Sequence, residues 1–328
     1  MASDESTKKP KLSEWQSSII QRIRNEGMQL ISNPGADLLL ATIVLALERR
    51  WRGIIVTAFT TFGKTLGFEW AMLQLPKLLG TVVPWLAVET PDKKVFKSPT
   101  AFLDMMVAEA KIEAPSRNSV KRMDQLAKHF TNLAARSKTR SFILEIDEAQ
   151  EMKLDDYELL KLIGNLMKKR KTLLLVVLIG QPGLATLRSQ LLEAKPIDAD
   201  QLYERFAKRV IRFPGIRSEK ELLAFITQFE AQIEVNGKSV VASFIPIAFD
   251  AGFSLATIVP RLWERICAQS SASQQATGVE IGIGHVVEII AFLLSDMALI
   301  DKVDLQISSE MLDLCIRNSE YPSSIINQ

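Results

Sequence analysis

The apolar positions of the chain fall into two regimes. Residues 12–33 carry Trp15, Ile19, Ile20, Ile23 and Met28 at roughly helical spacing, and Asn33-Pro34-Gly35 ends that run. A second helix is predicted over 36–50, closing on Arg49-Arg50, where cations suit the negative end of the helix dipole. Short apolar runs then alternate with helical stretches. GIIVTA (53–58), TVVPWLAVE (81–89), FILEID (142–147), LLLVVLIG (173–180) and RVIRF (209–213) read as strands. Helical periodicity follows each of the first four: to about Leu75, after Pro99 and again over 118–136, over about 155–169, and briefly after Pro182-Gly183. Such alternation predicts a parallel sheet flanked by helices.

From Ser218 onward the strand signals stop. Residues 218–232, 238–250, 256–271 and 284–298 all have helical periodicity, so Pro214-Gly215 marks the passage from an α/β domain to an all-helical one. The expected organisation is a disordered tail at 1–11, a helical segment at 12–50, an α/β domain at 51–215, a helical domain at 216–300 and an acidic tail at 301–328. No internal repeat or low-complexity segment interrupts it.

Composition narrows the classes. At 47% hydrophobic residues the 328-residue chain can bury a substantial core, which excludes wholesale disorder. Cys267 and Cys315 cannot build a disulfide framework or a four-ligand zinc site, and His129 and His285 add little to a metal centre. The start, MASDESTKKPK, lacks a signal-peptide core, and the apolar stretch Leu38 to Leu47 is half the length of a membrane span. A cytoplasmic protein without a membrane partner is expected. Net charge is only +2, yet Lys161, Lys168, Lys169, Arg170 and Lys171 cluster without an acid, and the tail is acidic.

The chemistry concentrates at two strand ends. Ala58-Phe59-Thr60-Thr61-Phe62-Gly63-Lys64-Thr65 fits a phosphate-binding loop with Ala in the first position. It follows an apolar strand and opens a helix, as an anion cradle of backbone N–H groups requires. Lys64 is assigned to the β- and γ-phosphates of ATP, and the Thr65 hydroxyl to Mg²⁺. Ala58 stands where glycine is usual, and bulky Phe62 where small residues are. About eighty residues on, the strand 142–147 ends in Asp147-Glu148. There an Asp can hold the water shell of Mg²⁺ and the following Glu can polarise the attacking water. By itself the pair is no more than an acidic loop; after a buried strand and a phosphate loop it is a second motif. Glu145 interrupts that strand, which points to lesser burial there.

The run AFTTFGKT, EIDEAQ, LIGQPGLATLRS and YERFAKRV resembles the AAA+ ATPases that regulate DNA transposition, of the TnsC, TniB and MuB type. The resemblance covers about residues 50–215, and the helical remainder fits an AAA+ lid. It implies that Gln181 senses the γ-phosphate and that Arg205 acts in trans on a neighbouring protomer's nucleotide. Arg261, opening a lid helix, would contact the nucleotide in cis. A trans-acting arginine implies a homo-oligomer, either a ring or a helical filament. The implied activity is slow, regulatory ATP hydrolysis that governs assembly on double-stranded DNA and recruitment of a transposase and a target-selection protein.

Two basic patches are candidates for DNA: Arg117, Lys121 and Arg122 with Lys128 beside them, and Lys168–Lys171. The first is favoured because its family counterpart faces DNA. The N-terminal helix and the acidic tail are read as docking sites for protein partners. Solvated charge, a helix cap and surface ion pairs are the plainer readings of the basic patches, of Gln181, and of Arg205 and Arg261. A signalling or scaffold ATPase of the STAND type, without a DNA role, is the alternative function.

Overall fold

The computed structural model describes residues 12–26, 31–90, 100–187, 189, 199–231 and 237–321. The expected tail at 1–11 lies outside the described residues. The chain forms two compact units. An α/β unit comprises residues 35–60 and 67–213, and a helical unit comprises 1–34, 61–66 and 214–328.

The α/β unit is built on five parallel strands: β1 (Gly53–Thr57), β2 (Trp85–Glu89), β3 (Ser141–Asp147), β4 (Leu173–Gly180) and β5 (Val210–Arg212), in the order β2-β3-β4-β1-β5. Every residue of β1 and β4 is buried, which is why both read as unbroken apolar runs. Pairing of β2 starts only at the Pro84 carbonyl, which accepts from the Ile143 amide, so the strand is shorter than its apolar run. Helices α2 (Pro34–Glu48), α3 (Lys64–Leu79), α4 (Ala101–Glu109), α5 (Ser119–Ala134) and α6 (Leu154–Lys169) accompany the sheet. Phe213, just past β5, is fully buried; a Cβ on Gly67 would stand 2.5 Å from its ring, and one on Gly35 2.1 Å. The α5 and α6 sides share a core in which Phe130 stacks on Phe142 at 4.1 Å.

Glu145 departs from expectation. It is 1% exposed, in the middle of β3 between Val177 of β4 and Ala87 of β2. Burial, and after it the charges of Asp147, Glu69 and Glu89, push its carboxyl up to about 8, and its Oε1 has no hydrogen-bond partner. The parallel register around it is unbroken, so neighbouring apolar strands bury the carboxylate rather than opening for it.

In the helical unit, α1 (Glu14–Glu26) sets Ile19, Ile20 and Ile23 into a core shared with the helices Glu219–Glu230, Val259–Gln269 and Ile283–Ala298. Arg24 binds Glu288 at 3.0 Å and covers the Phe292 ring at 4.7 Å. The apolar face of α1 is thus partnered within the helical unit. The described part of the acidic tail, residues 301–321, packs against this unit as well. Its helix Ser309–Asn318 buries Leu312, Cys315 and Ile316. Asp313 takes a bidentate pair from Arg265 at 2.7 and 2.5 Å, and Asp301 caps the Ile247 and Ala248 amides at 2.9 Å. Residues 322–328 lie outside the described residues. Burial and the nearby Asp296 push the Cys315 thiol up to about 12, consistent with an inert thiol. Among the described residues no helix is long and apolar enough to cross a membrane.

Candidate nucleotide-binding site

A parallel sheet sends all its strand C-termini to one edge. The register places Thr57 of β1 opposite Gly180 of β4, and Glu89 of β2 opposite Asp147 of β3. Within the α/β unit the sheet therefore gathers Ala58, the Asp147-Glu148 pair and Gln181 at one edge, although the sequence spreads them over more than a hundred residues.

Ala58 is buried and its amide donates to the Gly180 carbonyl at 3.1 Å. It is not among the residues with positive φ, so an L side chain is unstrained there and glycine is not required. Gly63 does need to be glycine, since its φ is +76°. Lys64, 5% exposed, is the first residue of α3, where orphan N–H groups and the helix dipole favour an anion. Thr65 is exposed one residue further on.

Phe62 finds its reason in the helical unit, to which residues 61–66 belong. It is 2% exposed. Its ring lies 3.2 Å from a Cβ built on Gly215 and 3.1 Å from one built on Gly282. An antiparallel bridge between Ile216 and Ile281, with both amides donating at 2.9 Å, holds these two glycines. The Gly215 amide also donates to Glu280 at 2.9 Å. The loop is thus seated on a glycine platform that motif reading overlooked. The run GVEIGIG (278–284), with three glycines around the start of an apolar helix, was the available signal. A Cβ at Gly282 would meet the Thr61 carbonyl oxygen at 2.7 Å and its hydroxyl at 2.8 Å. We expect Gly282→Ala to weaken ATP binding by about tenfold or more, roughly 1.4 kcal/mol of distorted loop geometry. Titration with a fluorescent ATP analogue measures it; unchanged affinity would mean that the loop yields without cost.

Glu148 follows β3 in the left-handed region, φ 51° and ψ 37°. Its amide donates to Asp147 Oδ1 at 2.8 Å, and its carboxylate accepts from the Gln150 side-chain amide. Gln150 Oε1 in turn accepts from the Gln181 amide at 3.2 Å, across the sheet edge. Gly180 makes room for this bridge, since a Cβ there would collide with Gln150 Oε1. The Gln of EIDEAQ and the Gly of LIGQP therefore form a small structural unit that fixes Glu148. Gln181 itself is exposed.

Arg205 lies in the short helical turn Tyr203–Ala207 before β5. Its guanidinium donates to the Lys161 carbonyl and to Asn165 Oδ1, both at 2.8 Å, and burial with the nearby Arg52 lowers its pKa to about 10. A Cβ on Gly53 would stand 2.6 Å from the Arg205 carbonyl, so the glycine opening β1 admits this turn. It stands by the strand-entry edge, away from Glu148. Arg261 is exposed in the first turn of Val259–Gln269, with Nη2 3.4 Å from the Ser309 hydroxyl.

The first basic patch is divided. Arg117 and Lys121 are exposed, and the Lys121 amide donates to the Asn118 cap at 3.1 Å. Arg122 is committed to Asp104 of α4, which also accepts from Thr100 at 2.9 Å. Lys128 and Arg170 share Asp124, at 2.9 and 2.5 Å. These ion pairs hold the Asp124 carboxyl below its usual range.

The AAA domain family model matches residues 49–187. A comparison with curated proteins returned no match. Among solved structures the chain is similar to the ORC2 protein of Aeropyrum pernix in its ADPNP-ADP complexes, at 12% identity, covering 97% of this chain and 71% of that one, with a TM-score of 0.55. The ADP form of the same protein gives 14% identity over 96% and 71%, TM-score 0.53. Drosophila ORC bound to DNA gives 12% over 100% and 72%, TM-score 0.51. The five-stranded parallel sheet with its flanking helices has the AAA+ P-loop fold, and the match to the AAA domain model falls on residues 49–187 of it.

Proposed function

We propose that the protein is an ATP-dependent, sequence-neutral DNA-binding AAA+ ATPase that regulates DNA transposition in the cytoplasm. The observation that carries the nucleotide reading is the strand-tip arrangement: Asp147 and a braced Glu148 on β3, with Gln181 on β4, beside the strand that leads into Gly63-Lys64-Thr65. On this reading Lys64 and the amides of the 58–65 loop hold the phosphates, Thr65 and Asp147 the metal, and Arg261 the nucleotide in cis. Bound Mg²⁺–ATP would supply the scissile phosphoanhydride. Glu148 acts as the base that orients and deprotonates water, and Gln181 reads the γ-phosphate position. Arg205 completes a neighbour's site, which makes the active form an oligomer.

Nucleotide-bound relatives of the fold and one bound to DNA accord with this reading. The transposase and target-selection partners rest on the resemblance of the motifs. Arg117 and Lys121 are the DNA contacts favoured on this patch, with Arg122 holding α5 to α4. Fluorescence anisotropy of a labelled duplex at fixed salt, with ATP, ADP or a non-hydrolysable analogue, tests it. Tight cooperative binding with ATP or the analogue, absent in Lys64→Ala, is expected. Nucleotide binding without DNA affinity under any condition would instead favour a STAND-type switch.

A further inference from the structure

The parallel sheet has a second edge, where the strands enter. Four adjacent strands, β3-β4-β1-β5, are entered there by the segments ARSKTR (135–140), MKKRKT (167–172), ERRWR (48–52) and ERFAKR (204–209). Together these hold thirteen cations and two acids. No window of the sequence shows this, because the segments are separated by up to about eighty residues and meet only through sheet order. Adjacent strands lie about 4.8 Å apart, so the row spans about 14 Å.

Three of the four entries share a backbone device. Arg50, Arg140 and Lys171 take positive φ, at 52°, 49° and 57°, the first and last in turns that close a helix and Arg140 in the turn Ser137–Arg140 that leads into β3. Glycine is the favoured residue in such a position, and an L side chain there is strained. The chain keeps a cation at all three. Arg50, Arg140, Lys168 and Lys171 are exposed, and none of them, nor Arg52, forms an ion pair among the described residues. Arg50, Arg52, Lys168 and Arg205 also line a cavity of about 170 Å³ whose lining contains no carboxylate. Cations drawn together without counter-charge repel one another, and a multivalent anion relieves that repulsion.

We propose that this strand-entry edge is a nucleic-acid-binding face that grips the phosphate backbone of duplex DNA through Arg50, Arg52, Arg140, Lys168 and Lys171. The inference rests on the DNA-binding reading above and gives DNA a second contact surface beyond Arg117 and Lys121. A duplex carries about one charge per 1.7 Å of axis, so the rigid row of about 10 Å formed by the β3, β4 and β1 entries meets several phosphates, and guanidinium forks suit their oxygens. A lipid surface fits less well. Met167 and Phe206 of these segments are buried and the Trp51 ring is covered by Arg209 at 4.3 Å, leaving no large side chain to insert.

The test is anisotropy with a random 30-base-pair duplex and the non-hydrolysable analogue, over a salt series. It compares wild type, the triple variant Arg50→Gly/Arg140→Gly/Lys171→Gly, and Arg117→Gln/Lys121→Gln. The triple variant is expected to bind about tenfold or more weakly, with a salt slope shallower by about 3. Its Tm should hold or rise by a few degrees, because glycine suits those backbones. That opposite movement separates lost contact from damaged fold. Wild-type binding with an unaltered triple variant overturns the inference and leaves the proposed function standing; no wild-type binding overturns both. Two further results overturn the inference alone. One is nucleotide-driven self-association, followed by light scattering without DNA, that fails in the triple variant while its DNA affinity holds. The other is binding to phosphatidylserine vesicles that the triple variant loses while retaining DNA.

Discussion

Glu148→Gln is expected to lower ATP turnover by about 10²–10⁴-fold, the usual contribution of a positioned general base, while ATP-dependent binding to duplex DNA persists. The expectation follows from how the side chain is held. Glu148 sits in a left-handed turn at the tip of β3 and its carboxylate is tied to Gln150, which is itself anchored to the end of β4. A glutamine preserves shape and the hydrogen bond to Gln150 through its carbonyl oxygen, but it cannot accept a proton. In the proposed function assembly needs only that ATP be bound, so it survives, whereas Lys64→Ala loses both. Gln150→Ala should fall between, lowering turnover by a smaller factor because Glu148 loses its brace. Steady-state phosphate release and anisotropy on the same preparations decide it; a Glu148→Gln variant with wild-type turnover would remove Glu148 from the mechanism.

The second large effect is on stability. Glu145→Gln should stabilise the nucleotide-free protein at neutral pH and gain nothing below about pH 4.5. The buried carboxyl titrates near 8 in the folded protein against 4.5 for an ordinary glutamate. Between these values the folded chain holds a proton that the unfolded chain has released. Wild-type stability therefore falls as pH rises through this window, by about 1.4 kcal/mol per pH unit, or about 3 kcal/mol by pH 7. Glutamine carries no charge at any pH and escapes the loss. Urea midpoints for both proteins from pH 5 to 8 should diverge steadily, the wild type falling; parallel curves would falsify the assignment.

The strand–loop–helix order and both nucleotide motifs are legible in the chain because each is a local signal. A phosphate loop needs one glycine with positive φ and a lysine at a helix start, within eight residues, and a catalytic pair needs only the end of an apolar strand. The glycine platform under Phe62 is different, since Gly215 and Gly282 act from some 150 and 220 residues further on. Arg122 and Lys121 look alike in sequence, yet Asp104 on a neighbouring helix binds only Arg122. Glu145 looked like a break in the apolar run, and sheet packing on both sides buried it instead.

Periodicity, turn chemistry and motif spacing act over one or two turns of chain, so the elements, the alternation that makes the sheet parallel, and the candidate nucleotide motifs can all be read locally. Which charges are neutralised, which oddities are packed, and that four separate basic segments share one edge emerge only once the chain is folded. Side-chain burial and charge pairing are set by residues far apart in sequence, and a strand order of β2-β3-β4-β1-β5 brings them together in an arrangement that no linear window contains.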